Sequence, residues 1–79
     1  MTLEEQIIGI VQENSEEKSG VTLHTDLERD LGIDSFGVLM IINAIEDVFN
    51  ITVDEEKFNH IRTVVDIAEV LRTRYGVRG

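Results

Sequence analysis

Residues 30–49 read DLGIDSFGVLMIINAIEDVF and hold the most apolar helical pattern in the chain. Gly32 allows a turn that delivers Asp34 and Ser35 to the start of a helix predicted over about residues 36–49. The first N–H groups of a helix have no partner within it, and with the positive end of the helix dipole they suit an anion such as phosphate. We therefore predict that Ser35 is a candidate for covalent modification through a phosphodiester. The alternative is that the Asp-Ser pair only caps the helix.

This helix carries apolar residues on more than one face. At 100° per residue a broad core face is predicted, made of Val38, Ile41, Ile42, Ile45, Val48 and Phe49. A second set points outward beside the polar positions Asn43, Glu46 and Asp47; it consists of Phe36, Leu39 and Met40. A helix needs one apolar stripe to dock on its neighbours, so the second set either covers a loop or contacts a partner.

Three capping-box patterns mark the starts of the other helices: Thr2 to Glu5, Thr52 to Glu55, and Thr63 to Asp66. They predict a first helix that fades near residues 14–15, a short third helix anchored by Phe58 and Ile61, and a fourth helix that ends at Gly76. The fold class is therefore all-α, a small four-helix bundle of three longer helices and one short one, in a single domain over residues 1–79.

A long ordered loop is expected between helices 1 and 2. Lys18-Ser19-Gly20 is typical of a turn. Residues 21–33 mix apolar and polar positions without a clean period, so we expect the loop to pack on the core. A short helical turn at 25–30 would be capped by Thr25 and Glu28.

Composition limits the classes of function. The 79 residues carry a formal charge of −9, so nucleic acid and anionic membrane surfaces are poor partners and basic proteins better ones. The other interpretation is that the acidity only keeps the domain soluble and monomeric. There is no cysteine, no apolar run long enough to cross a membrane and no secretory signal at the acidic N-terminus, which favours a cytoplasmic protein.

Known catalytic and metal-binding patterns are not met. Ser35 lacks a nucleophile-elbow motif, and neither His24 nor His60 lies in a recognisable catalytic signature. A calcium-loop register begun at Asp26 places Leu31 and Gly37 where glycine and glutamate are needed. We predict no catalytic residue and no metal site.

Residues 30–36, DLGIDSF, resemble the signature of the phosphopantetheine carrier family, which comprises acyl carrier proteins and the related peptidyl and aminoacyl carriers. Phe36 stands where leucine is commoner, and the likeness extends through residues 45–49 to the fourth helix. The resemblance implies that Ser35 receives 4′-phosphopantetheine from coenzyme A, installed by a phosphopantetheinyl transferase that uses magnesium and recognises Asp34. The thiol of that arm would carry an acyl or aminoacyl group as a thioester between loading and synthase enzymes, and the protein itself would not be an enzyme.

One departure from the family pattern concerns partner recognition. Many fatty-acid carriers have acidic residues soon after the serine, where this chain has Gly37 and Met40. Partner contacts would then rest more on Phe36, Leu39 and Met40, with Glu46 and Asp47 supplying charge further along. We expect a free-standing, monomeric carrier that serves fatty-acid, polyketide, peptide or another specialised synthesis. The departure at positions 37 and 40 favours a specialised pathway over housekeeping fatty-acid synthesis. The alternative is an unmodified acidic helical adaptor that binds a basic protein through helix 2.

Overall fold

The computed structural model describes residues 1–15, 20–58 and 60–78. Its elements, in order, are α1 (Leu3–Glu13), α2 (Ser35–Phe49), a 3₁₀ helix (Glu55–Phe58) and α3 (Val64–Tyr75). These residues form no β-strand, only one isolated bridge between Asp26 and Thr63. The all-α class is confirmed, but the short third member of the predicted bundle is a single 3₁₀ turn. Over the described ranges the architecture is therefore three α-helices and one four-residue 3₁₀ helix.

Two of the predicted capping boxes form as expected. In α1 the Thr2 N–H donates to Glu5 Oε1 at 3.0 Å, and the Glu5 N–H donates back to Thr2 Oγ1 at 3.1 Å. In α3 the same exchange joins Thr63 and Asp66, at 3.1 and 3.3 Å. Gly76 ends α3 in the left-handed conformation with φ 65°, as predicted. Each box is built from atoms three residues apart, so local sequence suffices to specify it.

The third predicted box, Thr52 to Glu55, is wrong. Asp54 caps the 3₁₀ helix instead, because its Oδ1 accepts the Glu56 N–H at 3.0 Å and its carbonyl oxygen accepts the Lys57 N–H at 3.0 Å. A carboxylate directly before such a tight turn reaches the N–H two residues on, whereas Thr52 lies too far back. Phe58 anchors this helix as predicted, at 3% exposure, and Ile61 is half-buried.

The core lies around α1, which packs against both α2 and α3. Its largest fully buried side chains come from all three α-helices: Leu3, Ile7, Val11, Ile41, Ile45, Val64, Ile67 and Leu71. Above this core Arg72 donates to both carboxylate oxygens of Glu4, at 2.6 and 2.8 Å, which ties α3 to α1 at the surface.

The predicted core face of α2 is correct except at one end. Ile41, Ile42 and Ile45 are buried, and Val38 and Phe49 are half-buried against them. Val48 was expected in this set, but it is 55% exposed. It lies about 60° around the helix from Ile45, at the edge of the stripe and in the last turn of α2, where its side chain remains open to solvent.

The segment before α2 packs on the core, as expected, through the buried side chains of Val21, Leu27 and Ile33. The predicted Thr25–Glu28 capping pair is wrong. Asp26 lies immediately before the turn at 27–31, so its Oδ1 is the acceptor next to the unpaired N–H groups of residues 28 and 29, at 3.1 and 2.8 Å. The predicted turn at residues 18–20 falls largely outside the described residues; within them, Gly20 has φ 82°.

Candidate functional site

Ser35 is the first residue of α2 and is exposed. Asp34 is the N-cap: its Oδ1 accepts the Gly37 N–H at 2.9 Å, and its carbonyl oxygen accepts the Val38 N–H at 3.0 Å. In the described part of the chain no hydrogen bond is made by the Ser35 hydroxyl or by the N–H groups of Ser35 and Phe36. The hydroxyl therefore lies free beside two unpaired donors at the positive end of the helix.

The loop before α2 fixes how the chain approaches Ser35. Gly32 has φ 67°, and its N–H donates to the Glu28 carbonyl at 2.9 Å, which closes the turn. The Ile33 N–H then donates to the Leu27 carbonyl at 2.9 Å while the Ile33 side chain enters the core. The buried isoleucine anchors the chain one residue before Asp34, so the cap and Ser35 are held at the surface.

Gly37 fits closely against that anchor. A Cβ atom built on Gly37 would lie 2.6 Å from Ile33 Cγ2, a distance that real side chains do not tolerate. Ile33 is only 8% exposed, and its Cγ2 is attached to a branched Cβ, so it has little freedom to move away. The absence of an acidic side chain at position 37, noted in the sequence, thus has a packing cause in this structure.

A cleft of about 390 Å³ opens beside Ser35. It is lined by Val38 and Leu39 of α2 and, from the stretch between α2 and α3, by Phe58, Ile61 and Arg62. Its lining therefore mixes apolar side chains with charged ones, among them Asp26, Glu28 and Glu55. No cavity can be predicted here from the sequence alone, since the lining comes from segments about twenty residues apart whose approach no local pattern encodes.

An ion pair links the two loops at the edge of this cleft. Arg62 Nη2 lies 3.2 Å from Asp26 Oδ2, and the Leu27 N–H donates to the Arg62 carbonyl at 2.8 Å. The pKa of the Asp26 carboxyl is lowered from its ordinary value, chiefly by the N–H of Arg29 and further by the charge of Arg62. Asp26 is thus a fixed anion that joins the segment before α2 to the segment before α3.

The predicted partner-facing residues differ in their surroundings. Phe36, Leu39 and Met40 are 69%, 37% and 43% exposed, and Asp47 is exposed as well. Glu46 is half-buried, and its Oε2 accepts the Val53 N–H at 2.9 Å. Its carboxylate therefore also holds the segment that follows α2.

His24 and His60 are both exposed, and among the described residues neither hydrogen-bonds to Ser35. Within residues 1–15, 20–58 and 60–78 no three acidic or histidine side chains come together as a metal site. No helix in the part of the chain that the structure describes is long and apolar enough to cross a membrane.

Comparison with known proteins supports one family. The family model described as "phosphopantetheine attachment site" matches residues 5–71. The chain is 35% identical over 75 residues to an acyl carrier protein of Exiguobacterium sibiricum, covering 89% of this chain and 95% of that protein. It is 41% identical over 54 residues to an acyl carrier protein of Amoebophilus asiaticus, covering 68% of each.

A solved structure agrees with these relatives. A putative acyl carrier protein from Mycobacterium tuberculosis superposes with a TM-score of 0.75 at 32% identity, covering 84% of this chain and 89% of that one. Family model, sequence relatives and fold thus point the same way, and the predicted family and cofactor are confirmed. The chain belongs to the phosphopantetheine carrier family that includes the acyl carrier proteins, and its prosthetic group is 4′-phosphopantetheine.

Proposed function

We propose that Ser35 is the attachment residue for 4′-phosphopantetheine and that this chain carries an acyl or aminoacyl thioester between partner enzymes. The observation that carries the proposal is the exposed Ser35 hydroxyl beside two backbone N–H groups that have no partner among the described residues. A phosphodiester on Ser35 would place anionic oxygens where those donors and the helix dipole stabilise them. The residues present therefore fit the group.

The neighbouring residues prepare the site rather than react. The arm, when attached, supplies a thiol that holds the cargo as a thioester. This chain has no cysteine and therefore no thiol of its own. Asp34 Oδ1 is engaged by the Gly37 N–H, so the capping carboxylate is held back and the N–H groups of Ser35 and Phe36 stay available. Coenzyme A is the proposed source of the group, and a magnesium-dependent phosphopantetheinyl transferase the enzyme that installs it.

The cleft beside Ser35 supports an apolar cargo. Its lining includes Val38, Leu39, Phe58 and Ile61, which offer apolar surface where hydrocarbon can leave water. We propose that part of a tethered acyl group lies there between partner visits. Charged side chains also line the cleft, Arg62 among them, and they would suit a polar end of the cargo.

The finer functional assignments are part of the same proposal. Acyl carrier proteins are carriers and not enzymes, and we propose that this domain likewise presents its cargo without turnover of its own. The contacts would be made by α2 residues near Ser35: Phe36, Leu39, Met40, Glu46 and Asp47. Loading and synthase enzymes of a specialised pathway are the proposed partners, with residues 1–79 acting as one monomeric cytoplasmic carrier domain.

The central test is intact mass after incubation with coenzyme A, magnesium and a phosphopantetheinyl transferase. The wild-type chain should gain one phosphopantetheine adduct, and Ser35→Ala should gain none while keeping its helical circular dichroism. An unmodified chain that still bound a basic protein would instead support the adaptor alternative. An adduct on Ser35→Ala would place the attachment elsewhere.

The role of Asp34 can be separated into capping and recognition. Asn is as good an N-cap as Asp, so Asp34→Asn should keep the stability of α2. The same change removes the negative charge that we propose the transferase recognises. Asp34→Ala should lose about 1 kcal/mol of stability through loss of the cap. A slower modification rate in both variants supports recognition of the carboxylate. If Asp34→Asn were modified at the wild-type rate, Asp34 would be only a cap.

A further inference from the structure

The 3₁₀ helix supplies two of the side chains that line the cleft beside Ser35, Glu55 and Phe58. Phe58 is the larger apolar contribution, and it is buried. A helix of a single turn has little stability of its own, because few hydrogen bonds offset the cost of fixing its backbone. The place of Phe58 in the cleft lining therefore depends on the contacts that the 3₁₀ helix makes with the rest of the fold.

Side chains from the last turns of α2 and α3 hold the backbone just before this helix. Glu46 Oε2 accepts the Val53 N–H at 2.9 Å, and the Tyr75 hydroxyl accepts the Asp54 N–H at 2.8 Å. Two successive N–H groups are thus fixed from two different helices, by side chains 7 and 21 residues away along the chain. Because Asp54 caps the 3₁₀ helix, the bond to Tyr75 fixes where this helix begins.

Tyr75 also contacts the 3₁₀ helix through its ring. The ring centroids of Tyr75 and Phe58 are 6.3 Å apart with 24° between the planes, within the range of favourable aromatic pairs. Lys57 Nζ lies 5.5 Å from the centroid of the same ring, at cation–π distance. Among the described residues Tyr75 is not one of those that line the cleft, so it acts on the cleft through Phe58. One side chain therefore holds both the start of the 3₁₀ helix and its cleft-lining ring.

We propose that Tyr75 is a positioning residue for the cargo: by holding Phe58 in place, it determines how well a long acyl group is retained in the cleft. This inference rests on the proposed function, since the cargo must be attached at Ser35. An octanoyl chain gains from leaving water against a fixed apolar surface, whereas an acetyl group is too small to gain much. The coupling is reciprocal, so cargo that packs against Phe58 stabilises the bond between Tyr75 and Asp54.

The test compares acetyl and octanoyl cargo, each loaded onto Ser35 of the full chain by a phosphopantetheinyl transferase from the corresponding acyl-coenzyme A. Cleavage of the thioester by hydroxylamine is followed by intact mass, since cleavage requires the thioester to be exposed. Octanoyl cleavage should be roughly threefold faster in Tyr75→Phe than in the wild type, the effect of one lost hydrogen bond, while acetyl cleavage should not change. The control variant Thr2→Ala loses the N-cap of α1 at a comparable cost in stability, and both of its rates should match the wild type.

Hydrogen exchange at the Asp54 amide gives a second readout on the loaded wild-type protein. Octanoyl cargo should slow this exchange relative to acetyl cargo, and equal exchange with the two cargoes would overturn the inference. Equal octanoyl cleavage in Tyr75→Phe and the wild type would also overturn it. The same acceleration in Thr2→Ala would overturn it too, because overall stability would then control exposure of the thioester. In all these cases a normal Ser35 adduct leaves the proposed function standing, whereas the absence of any adduct would overturn both.

Discussion

Replacing Gly37 by alanine should destabilise the protein, which is opposite to the usual effect of this change within a helix. Alanine is preferred over glycine in helices by about 1 kcal/mol. At Gly37, however, the new Cβ would lie 2.6 Å from Ile33 Cγ2. Forcing an extra methyl group into a packed site costs typically about 1–3 kcal/mol. The free energy of unfolding should therefore fall by about 1 kcal/mol, which corresponds to a fall in Tm of roughly 5 °C for a domain of this size.

Gly9 provides a matched control inside α1. A Cβ at Gly9 meets no atom within 4 Å, so Gly9→Ala should gain helix propensity without a clash. Its free energy of unfolding should rise by about 0.5–1 kcal/mol. The two variants make the same chemical change in helices of the same protein, and only the space around the new methyl group differs.

Thermal and urea unfolding followed by circular dichroism would measure both variants. A third variant, Ile33→Ala, removes the atom that clashes, and in that background Gly37→Ala should become stabilising. The double-mutant cycle should therefore give a coupling of about 2 kcal/mol between the two positions. If Gly37→Ala raised Tm as Gly9→Ala does, the close packing of Ile33 would not be what selects glycine, and the reasoning would be refuted.

Two further predictions concern single hydrogen-bonded groups. The pKa of Asp26 is lowered in the fold, chiefly by the Arg29 N–H, so its stabilising effect is full above the ordinary value of 3.8 and is lost as the pH falls below it toward the folded-state pKa. The Asp26→Asn variant should have a lower Tm than the wild type at neutral pH, and its Tm should fall less than that of the wild type when the pH is lowered. If the carboxylate were unimportant, Tm measured against pH would fall equally in both proteins. Tyr75→Phe removes the hydroxyl that accepts the Asp54 N–H at 2.8 Å, so stability should fall by about 0.5–1 kcal/mol. Hydrogen exchange at the Asp54 amide should accelerate, and an unchanged rate would show that the hydroxyl does not hold the 3₁₀ helix.

The sequence predicted best those features whose atoms lie close together along the chain. The boxes at Thr2 and Thr63 and the left-handed end at Gly76 each depend on groups within a few residues. The position of Ser35 at the start of α2 followed from the glycine turn and the apolar pattern after it. Two local predictions were wrong: Asp26 and Asp54 cap their turns in place of the predicted threonines, because the carboxylate directly before a turn is nearest to the free N–H groups.

The sequence by itself determined the helical class, the family signature around Ser35 and most of the inward-facing positions, since these depend on helical period and on hydrogen bonds of short range. Only the tertiary structure decided that Val48 is exposed, that Arg62 pairs with Asp26, and that Gly37 has no space for a side chain. Arg62 and Asp26 belong to different loops. Whether Val48 is buried or exposed depends on which elements reach the end of α2. Such facts arise when distant segments pack, and no periodicity within one segment encodes where another will lie.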